Sequence, residues 1–290
     1  MRKTFVLAAL AAAALALGAS ASYGANTETV RNAQNVSACG TRGPLQIVGL
    51  TADQRLICFT QRGADRARTI GSVSNLQTDT SLVGIDYRPA DGNLYGVGNQ
   101  GGIYTVDVTT AQATLVSRTN VALNGTSFGT DFNPVADRFR IVSDTGQNLR
   151  VNVVDGTTTT DGPLNYTAGT PAAGVTGAAY TNNDADPNTG TTLFDFDSVL
   201  DQVAVQSPPN NGSLVATGKF GVDSGPEIGA DIYSVVRQGT TVENHAFASV
   251  RSGSTSWFTE VDLLTGRVTS RDQFSAGDTV IGLTVPLNQR

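Results

Sequence analysis

The chain has 290 residues, with 19 basic against 25 acidic side chains, one histidine and a net charge of −6. An acidic surface of this kind repels phosphate backbones and anionic lipid, which excludes nucleic acid and membrane surfaces as general partners. One histidine and two cysteines outside any C-x-x-C pair leave no zinc-type ligand set.

The chain opens MRKTFVLAALAAAALALGASAS: basic residues, an apolar run from Phe5 to Leu17, then small residues ending Ala19-Ser20-Ala21. This predicts a secretory signal over residues 1–21, cleaved after Ala21, because the run is too short to span a bilayer comfortably. No later segment resembles a membrane span. The mature chain, with a lead-in over 22–43, is expected to be soluble, secreted or periplasmic, and monomeric. Cleavage removes Arg2 and Lys3 but no acid, so the net charge moves from −6 to −8. Cys39 and Cys58 then reach an oxidising compartment, where a disulfide closing a loop of about 20 residues would contribute about 3 kcal/mol.

Short alternating runs rich in Val and Thr, cut by Asp, Asn and many of the 32 glycines, predict an all-β protein. In chain order, a glycine within an apolar run recurs in LVGIDYRP (82–89), SFGTDFNP (127–134), GVTGAAYT (174–181), EIGADIYS (227–234) and VIGLTVP (280–286). Gly84, Gly129, Gly177, Gly229 and Gly282 are spaced by 45, 48, 52 and 53 residues, each interval the size of one propeller blade. The unit from residue 82 reads as four strands from the axis outward: LVGIDYRP, NLYGVGN, GIYTVDV and ATLVSR. The unit from 227 repeats them as EIGADIYS, HAFASVRSG, SWFTEVDLLTG and RVTSRDQF, and VDVTTA matches VDLLTG at the outer turn.

The two chain ends complement one another. Residues 47–73 align with the three outer strands of a unit, whereas VIGLTVP is an inner strand with no followers. The prediction is a single domain over 44–290: a five-bladed β-propeller closed when the C-terminal strand joins the N-terminal blade, which removes a free sheet edge. Six blades follow instead if IVGLT is itself an inner strand.

The runs GIDYRPADGNLYGVG (84–98), GTDFNPVADRFRIVSDTGQNLRVN (129–152), YTNN (180–183) and SPPNNGSL (207–214), in this order, resemble the exported bacterial family catalogued as domain of unknown function 4394. The resemblance covers roughly residues 44–285. It implies a propeller-like protein bearing a signal and brings no chemistry with it.

Alternation along an inner strand puts the residues two and four past the glycine on its own face. These are Asp86 and Arg88, Asp131 and Asn133, Ala179 and Thr181, Asp231 and Tyr233, Thr284 and Pro286; the other face carries Ile85, Tyr87, Phe132, Tyr180, Ile232, Leu283 and Val285. Turned toward the axis, Asp86, Asp131 and Asp231 would converge, with Arg88 and Asn133 one step along. Such a group would bind a cation, sugar or small anion, or lock the blades together through arginines and backbone N–H groups. Holding a divalent ion that activates water, it would make a metal-dependent hydrolase or lactonase.

In the third unit Arg138, Arg140 and Arg150 share one polar face. A buried guanidinium needs carboxylate partners, for which Asp131, Asp137 and Asp144 are the local candidates; an open face would bind an anion. Asp184, Asp186, Asn188 and Asp195 fall at positions 1, 3, 5 and 12 of a calcium-loop spacing, although Thr189 stands where that loop needs glycine. His245 has no nucleophile elbow to serve. The expected role is binding of a small molecule or protein partner, with a hydrolase and a structural envelope or matrix protein as alternatives.

Overall fold

A computed structural model of the chain describes Cys39, residues 45–182, 184–186, 189–287 and Gln289. The expected signal segment 1–21 lies outside the described residues, as does the lead-in 22–43 apart from Cys39. Five four-stranded antiparallel sheets account for the described chain, with two short 3-10 turns at Ala64–Arg66 and Pro209–Asn211. No described helix is long and apolar enough to cross a membrane.

Blade 1 consists of β1 (Gln46–Thr51), β2 (Arg55–Thr60) and β3 (Arg68–Ser72). Blade 2 holds β4 (Leu82–Tyr87), β5 (Leu94–Gly98), β6 (Gly102–Val106) and β7 (Ala113–Arg118). Blade 3 holds β8 (Phe128–Asn133), β9 (Arg138–Ser143), β10 (Asn148–Val151) and β11 (Thr158–Thr160). Blade 4 holds β12 (Val175–Tyr180), β13 (Leu193–Asp197), β14 (Gln202–Gln206) and β15 (Leu214–Lys219). Blade 5 holds β16 (Gly229–Arg237), β17 (Thr240–Ser252), β18 (Thr255–Val261) and β19 (Val268–Gln273). The last strand, β20 (Val280–Thr284), is the inner strand of blade 1, in the order β20-β1-β2-β3. Val48 faces Thr284 and Leu50 faces Gly282 in this closing pair. IVGLT is therefore a second strand, and the ring has five blades, not six.

The turn chemistry follows the repeat. Asp107 Oδ1 accepts the N–H groups of Thr109 and Thr110 at 2.7 and 3.0 Å, and Asp262 Oδ1 accepts those of Leu264 and Thr265 at 2.9 and 3.0 Å. The VDVTTA and VDLLTG match is thus an Asx turn used twice.

Inner strands meet in the sequence β4, β8, β12, β16, β20 and back to β4. Between blades the apolar faces interlock in five clusters, one per seam; Val48, Leu50 and Leu56 meet Ile85, Tyr87 and Leu94 in the first. The inner strands approach so closely that a Cβ on Gly129 would lie 2.6 Å from the backbone of Gly177 and Ala178, and one on Gly229 would lie 2.7 Å from Gly282. Only hydrogen fits at those two positions. Cys39 and Cys58 form the expected disulfide, with Cα atoms 5.4 Å apart.

Candidate functional site

Asp86, Asp131 and Asp231 come together at the axis, all buried, with one carboxylate oxygen of each within 4.8 Å of the others. Their arrangement repeats from blade to blade. Asp86 Oδ2 accepts the N–H of Phe132 in the next inner strand at 2.7 Å, and Asp231 Oδ2 accepts that of Val285 at 2.6 Å. Asp131 faces the N–H of Tyr180 in the same way. Thr284 completes the sense of rotation by accepting the Tyr87 N–H at 3.2 Å while donating to Asp86 Oδ1 at 2.8 Å. Blade 4 has Ala179 at this place and cannot take part, so the Ile232 N–H bonds Asp231 Oδ1 of its own strand at 2.6 Å.

No cation is among the groups acting on these three acids. Burial, reinforced by the other carboxylates, holds Asp86 and Asp131 well above the ordinary carboxylate range. Burial pushes Asp231 up to about 6. The adjoining void is only about 10 Å³, room for one water-sized sphere.

Of the remaining predicted site residues, Arg88 spans to blade 3. Its Nε and Nη2 donate to the two oxygens of Asp137 at 2.8 and 2.6 Å, and its Nη1 to Asp91 at 2.8 Å. Asn133 Oδ1 accepts the Val135 and Ala136 N–H groups and shapes the turn after β8. Arg138 donates to the Asp137 carbonyl at 2.8 Å.

Arg140 is 1% exposed. It donates to Asn148 at 2.6 Å and Asp161 at 2.7 Å within its blade, and to Tyr180 and Asn210 of blade 4 at 3.1 Å each. Arg150 shares Asp161, with Nε and Nη2 donating at 2.6 and 2.8 Å. Asp161, not Asp131, Asp137 or Asp144, is therefore the ion-pair partner of Arg140 and Arg150, while Arg138 stays beside Asp137. The register shows why: Arg150 faces Thr159 on β11, and Asp161 follows two residues later on the same face. The SPPNNGSL loop clasps blade 3 as well, its Pro209 carbonyl accepting from Asn148 Nδ2 at 3.1 Å.

Among the described residues, Asp184, Asp186 and Asp195 of the calcium-loop spacing form no ligand group. Asp195 is fully buried in the middle of β13, Asp184 and Asp186 stay on the loop, and Asn188 lies outside the described residues. Among the described residues the axial triad is the acidic group able to surround an ion. His245 lies on β17, the second strand of blade 5, with Nδ1 3.1 Å from Glu260.

A larger opening was not foreseen from the sequence. At the end of the ring where the inner strands begin, a cleft of about 750 Å³ runs across blades 3, 4 and 5. Its floor depends on two glycines with positive φ, Gly174 (102°) and Gly225 (72°). A Cβ on either would lie 2.4 Å from Val199 or from the Arg251 carbonyl. The signal available was a second glycine three or four residues before the repeat glycine, at Gly125, Gly174 and Gly225.

No curated protein matches the chain. Among solved structures it is similar to a protein of unknown function from Bacteroides thetaiotaomicron, at 12% identity and a TM-score of 0.41, over 73% of this chain and 55% of that one. It is also similar to a protein from Lactobacillus plantarum (12%, TM-score 0.40, 84% and 99%) and to a luciferin-regenerating enzyme (12%, TM-score 0.43, 81% and 74%). The chain thus spans just over half the length of the first of these. The family described as "Domain of unknown function (DUF4394)" matches residues 55–284, from the start of β2 to the end of β20, and the chain belongs to that family.

Proposed function

We propose that the protein is an exported binding module that takes a small ligand in the cleft across blades 3 to 5. The cleft carries this reading, because it offers about 750 Å³ with both polar groups, such as Ser198 and Arg251, and apolar ones, such as Val199 and Pro226. On the arginine-bearing side of blade 3, by contrast, Arg140 and Arg150 are already engaged by Asp161. The disulfide and the predicted signal support export.

The test is thermal shift against sugars, sugar acids, amino acids and short peptides, with Val199→Trp as the control that fills the cleft. Val199 is 67% exposed, so the substitution leaves the core alone. A true ligand at a hundredfold excess over its Kd raises the melting midpoint by about 5–10 °C, and Val199→Trp abolishes the rise. A panel with no effect, or effects that survive Val199→Trp, would overturn the cleft as the site.

The axial acids support a second reading, a divalent cation such as calcium held by Asp86, Asp131 and Asp231. Three mutually repelling carboxylates without an ion-pair partner favour it. The water-sized void leaves no space for a substrate beside the ion, which speaks against a hydrolase or lactonase there. Calorimetry with calcium chloride should find one ion per chain, lost in Asp131→Asn. Heats no larger than dilution would leave the triad as a lock between blades.

A further inference from the structure

At the end of the ring that carries the cleft, the axis opens into a cavity of about 40 Å³. Val83, Phe128, Thr176, Ile228 and Ile281 line it, each one residue before its repeat glycine, so every blade contributes one side chain. Val83, Thr176 and Ile281 are the extra residues of β-bulges, placed where the register of β4, β12 and β20 slips. A bulge re-aims the side chain it carries, and these three line the axial mouth. Thr126 and Ser127 line both the mouth and the cleft, so the two adjoin.

Two polar groups of the mouth have no protein partner. Thr176 is 2% exposed and its hydroxyl makes no hydrogen bond. An apolar side chain of the same shape would avoid that cost, and the other four blades carry apolar residues at this place. Glu227, half-buried in the same lining, forms no hydrogen bond or ion pair among the described residues. Burial holds its carboxyl above the ordinary range, and the charge of Arg251 opposes this. Arg251 is itself hemmed in: its backbone N–H donates to the Ser224 carbonyl at 2.7 Å, in the turn that carries Asp223. Across cleft and mouth, Asp144, Asp223 and Glu227 outnumber this one guanidinium.

Ligand classes meet this arrangement differently. An anion is repelled by the surplus of carboxylates. A neutral alcohol bonds Thr176 but leaves Glu227 without a donor once it seals the mouth. Calcium seeks about six to eight oxygens, and four of the five axial walls are hydrocarbon. A quaternary ammonium has no N–H to offer Thr176. A primary ammonium has three donors, which match the Glu227 carboxylate and the hydroxyls of Thr176 and Ser127. The cavity has room for about three water-sized groups, enough for the ammonium and the methylene that carries it against Val83, Phe128, Ile228 and Ile281.

Resting on the cleft as the binding site, we infer that the ligand is an aliphatic primary amine whose ammonium sits in the axial mouth between Glu227 and Thr176 and whose chain runs past Ser127 into the cleft. The apolar ring of the mouth selects an unbranched methylene stem, and Glu227 selects the charge.

Calorimetry at neutral pH and constant ionic strength with butylamine, 1-butanol, butyrate and tetramethylammonium chloride tests this. Butylamine should bind at least tenfold more tightly than each of the other three. Thr176→Val and Glu227→Gln should each weaken it at least tenfold. Both variants should melt at or above the wild-type midpoint without ligand, since neither side chain holds a protein partner. Butylamine binding no tighter than butanol in the wild type would overturn the inference whether or not the variants fold, as would an affinity unchanged in either folded variant. A sugar, sugar acid or peptide whose binding is lost in Val199→Trp, with butylamine silent, would overturn the amine while leaving the cleft standing. Silence of butylamine and of that panel would remove both.

Discussion

Asp195 shows what a single buried side chain asks of its surroundings. Neither carboxylate oxygen has a hydrogen-bond partner, nor does Oε1 of Gln206. Leu193 faces Gln206 and Asp195 faces Ala204 across β13 and β14, so Asp195 and Gln206 are diagonal neighbours on one face. Burial pushes the Asp195 carboxyl up to about 8, Asp197 adds to the shift and Arg140 opposes it. The folded protein then holds a proton that the unfolded chain releases near pH 4, so stability falls as pH rises from about 4 toward 8. The axial acids, also raised, act in the same direction. Asp195→Asn removes the titration and supplies a donor for Gln206. Chemical denaturation should find it more stable than the wild type at pH 8, on the order of a few kcal/mol, with the gap closing below pH 4. A constant difference across that range would mean that Asp195 does not carry the extra proton. The convergence of Asp86, Asp131 and Asp231 was legible from strand alternation alone. The environment of Asp195 was not, because the calcium-loop spacing treats residues 184–195 as one loop, whereas Leu193–Asp197 is strand β13.

At the level of the inner strand, the repeat glycines are not equivalent. Gly129 and Gly229 meet backbone, which cannot move aside, whereas a Cβ on Gly282 would meet Ile85 Cγ1 at 3.4 Å, an ordinary contact. Gly129→Ala should cost about 1–3 kcal/mol or more through overpacking and push β8 off β12, while Gly282→Ala should stay within about 1 kcal/mol. Urea titration of the two variants decides the matter, and equal costs would show that the inner ring has more slack than its spacing allows. The sequence marked all five glycines alike, since a repeat records the position of a residue and not the neighbour it meets. The arginine face was legible as a face for the same reason. Its carboxylate, Asp161, was not, because the pairing of β10 with β11 sets which acid lies within reach.

For the ring as a whole, closure brings the two ends of the described chain side by side: the Gln46 N–H donates to Gln289 Oε1 at 2.7 Å, and Gln289 Nε2 returns a bond to the Gln46 carbonyl at 2.8 Å. Deleting residues 280–290 removes β20, takes the buried Leu283, Val285 and Leu287 from the seams, and strips Asp231 of the Val285 N–H and Asp86 of the Thr284 hydroxyl. The edge of β1 is then unpaired and the last seam is open to water. The truncated chain should lose its cooperative melting and aggregate. A permutant distinguishes closure from a mere need for those residues. Linking residue 290 to residue 38 and opening the chain at the exposed turn between Gln238 and Gly239 preserves every strand pair of the ring and the Cys39–Cys58 disulfide. The permutant should melt cooperatively within a few degrees of the parent, because its lost connection is a two-residue hairpin turn and every seam remains. A stable truncation, or a permutant that fails to fold while the truncation survives, would show that the blades hold together without the closing strand.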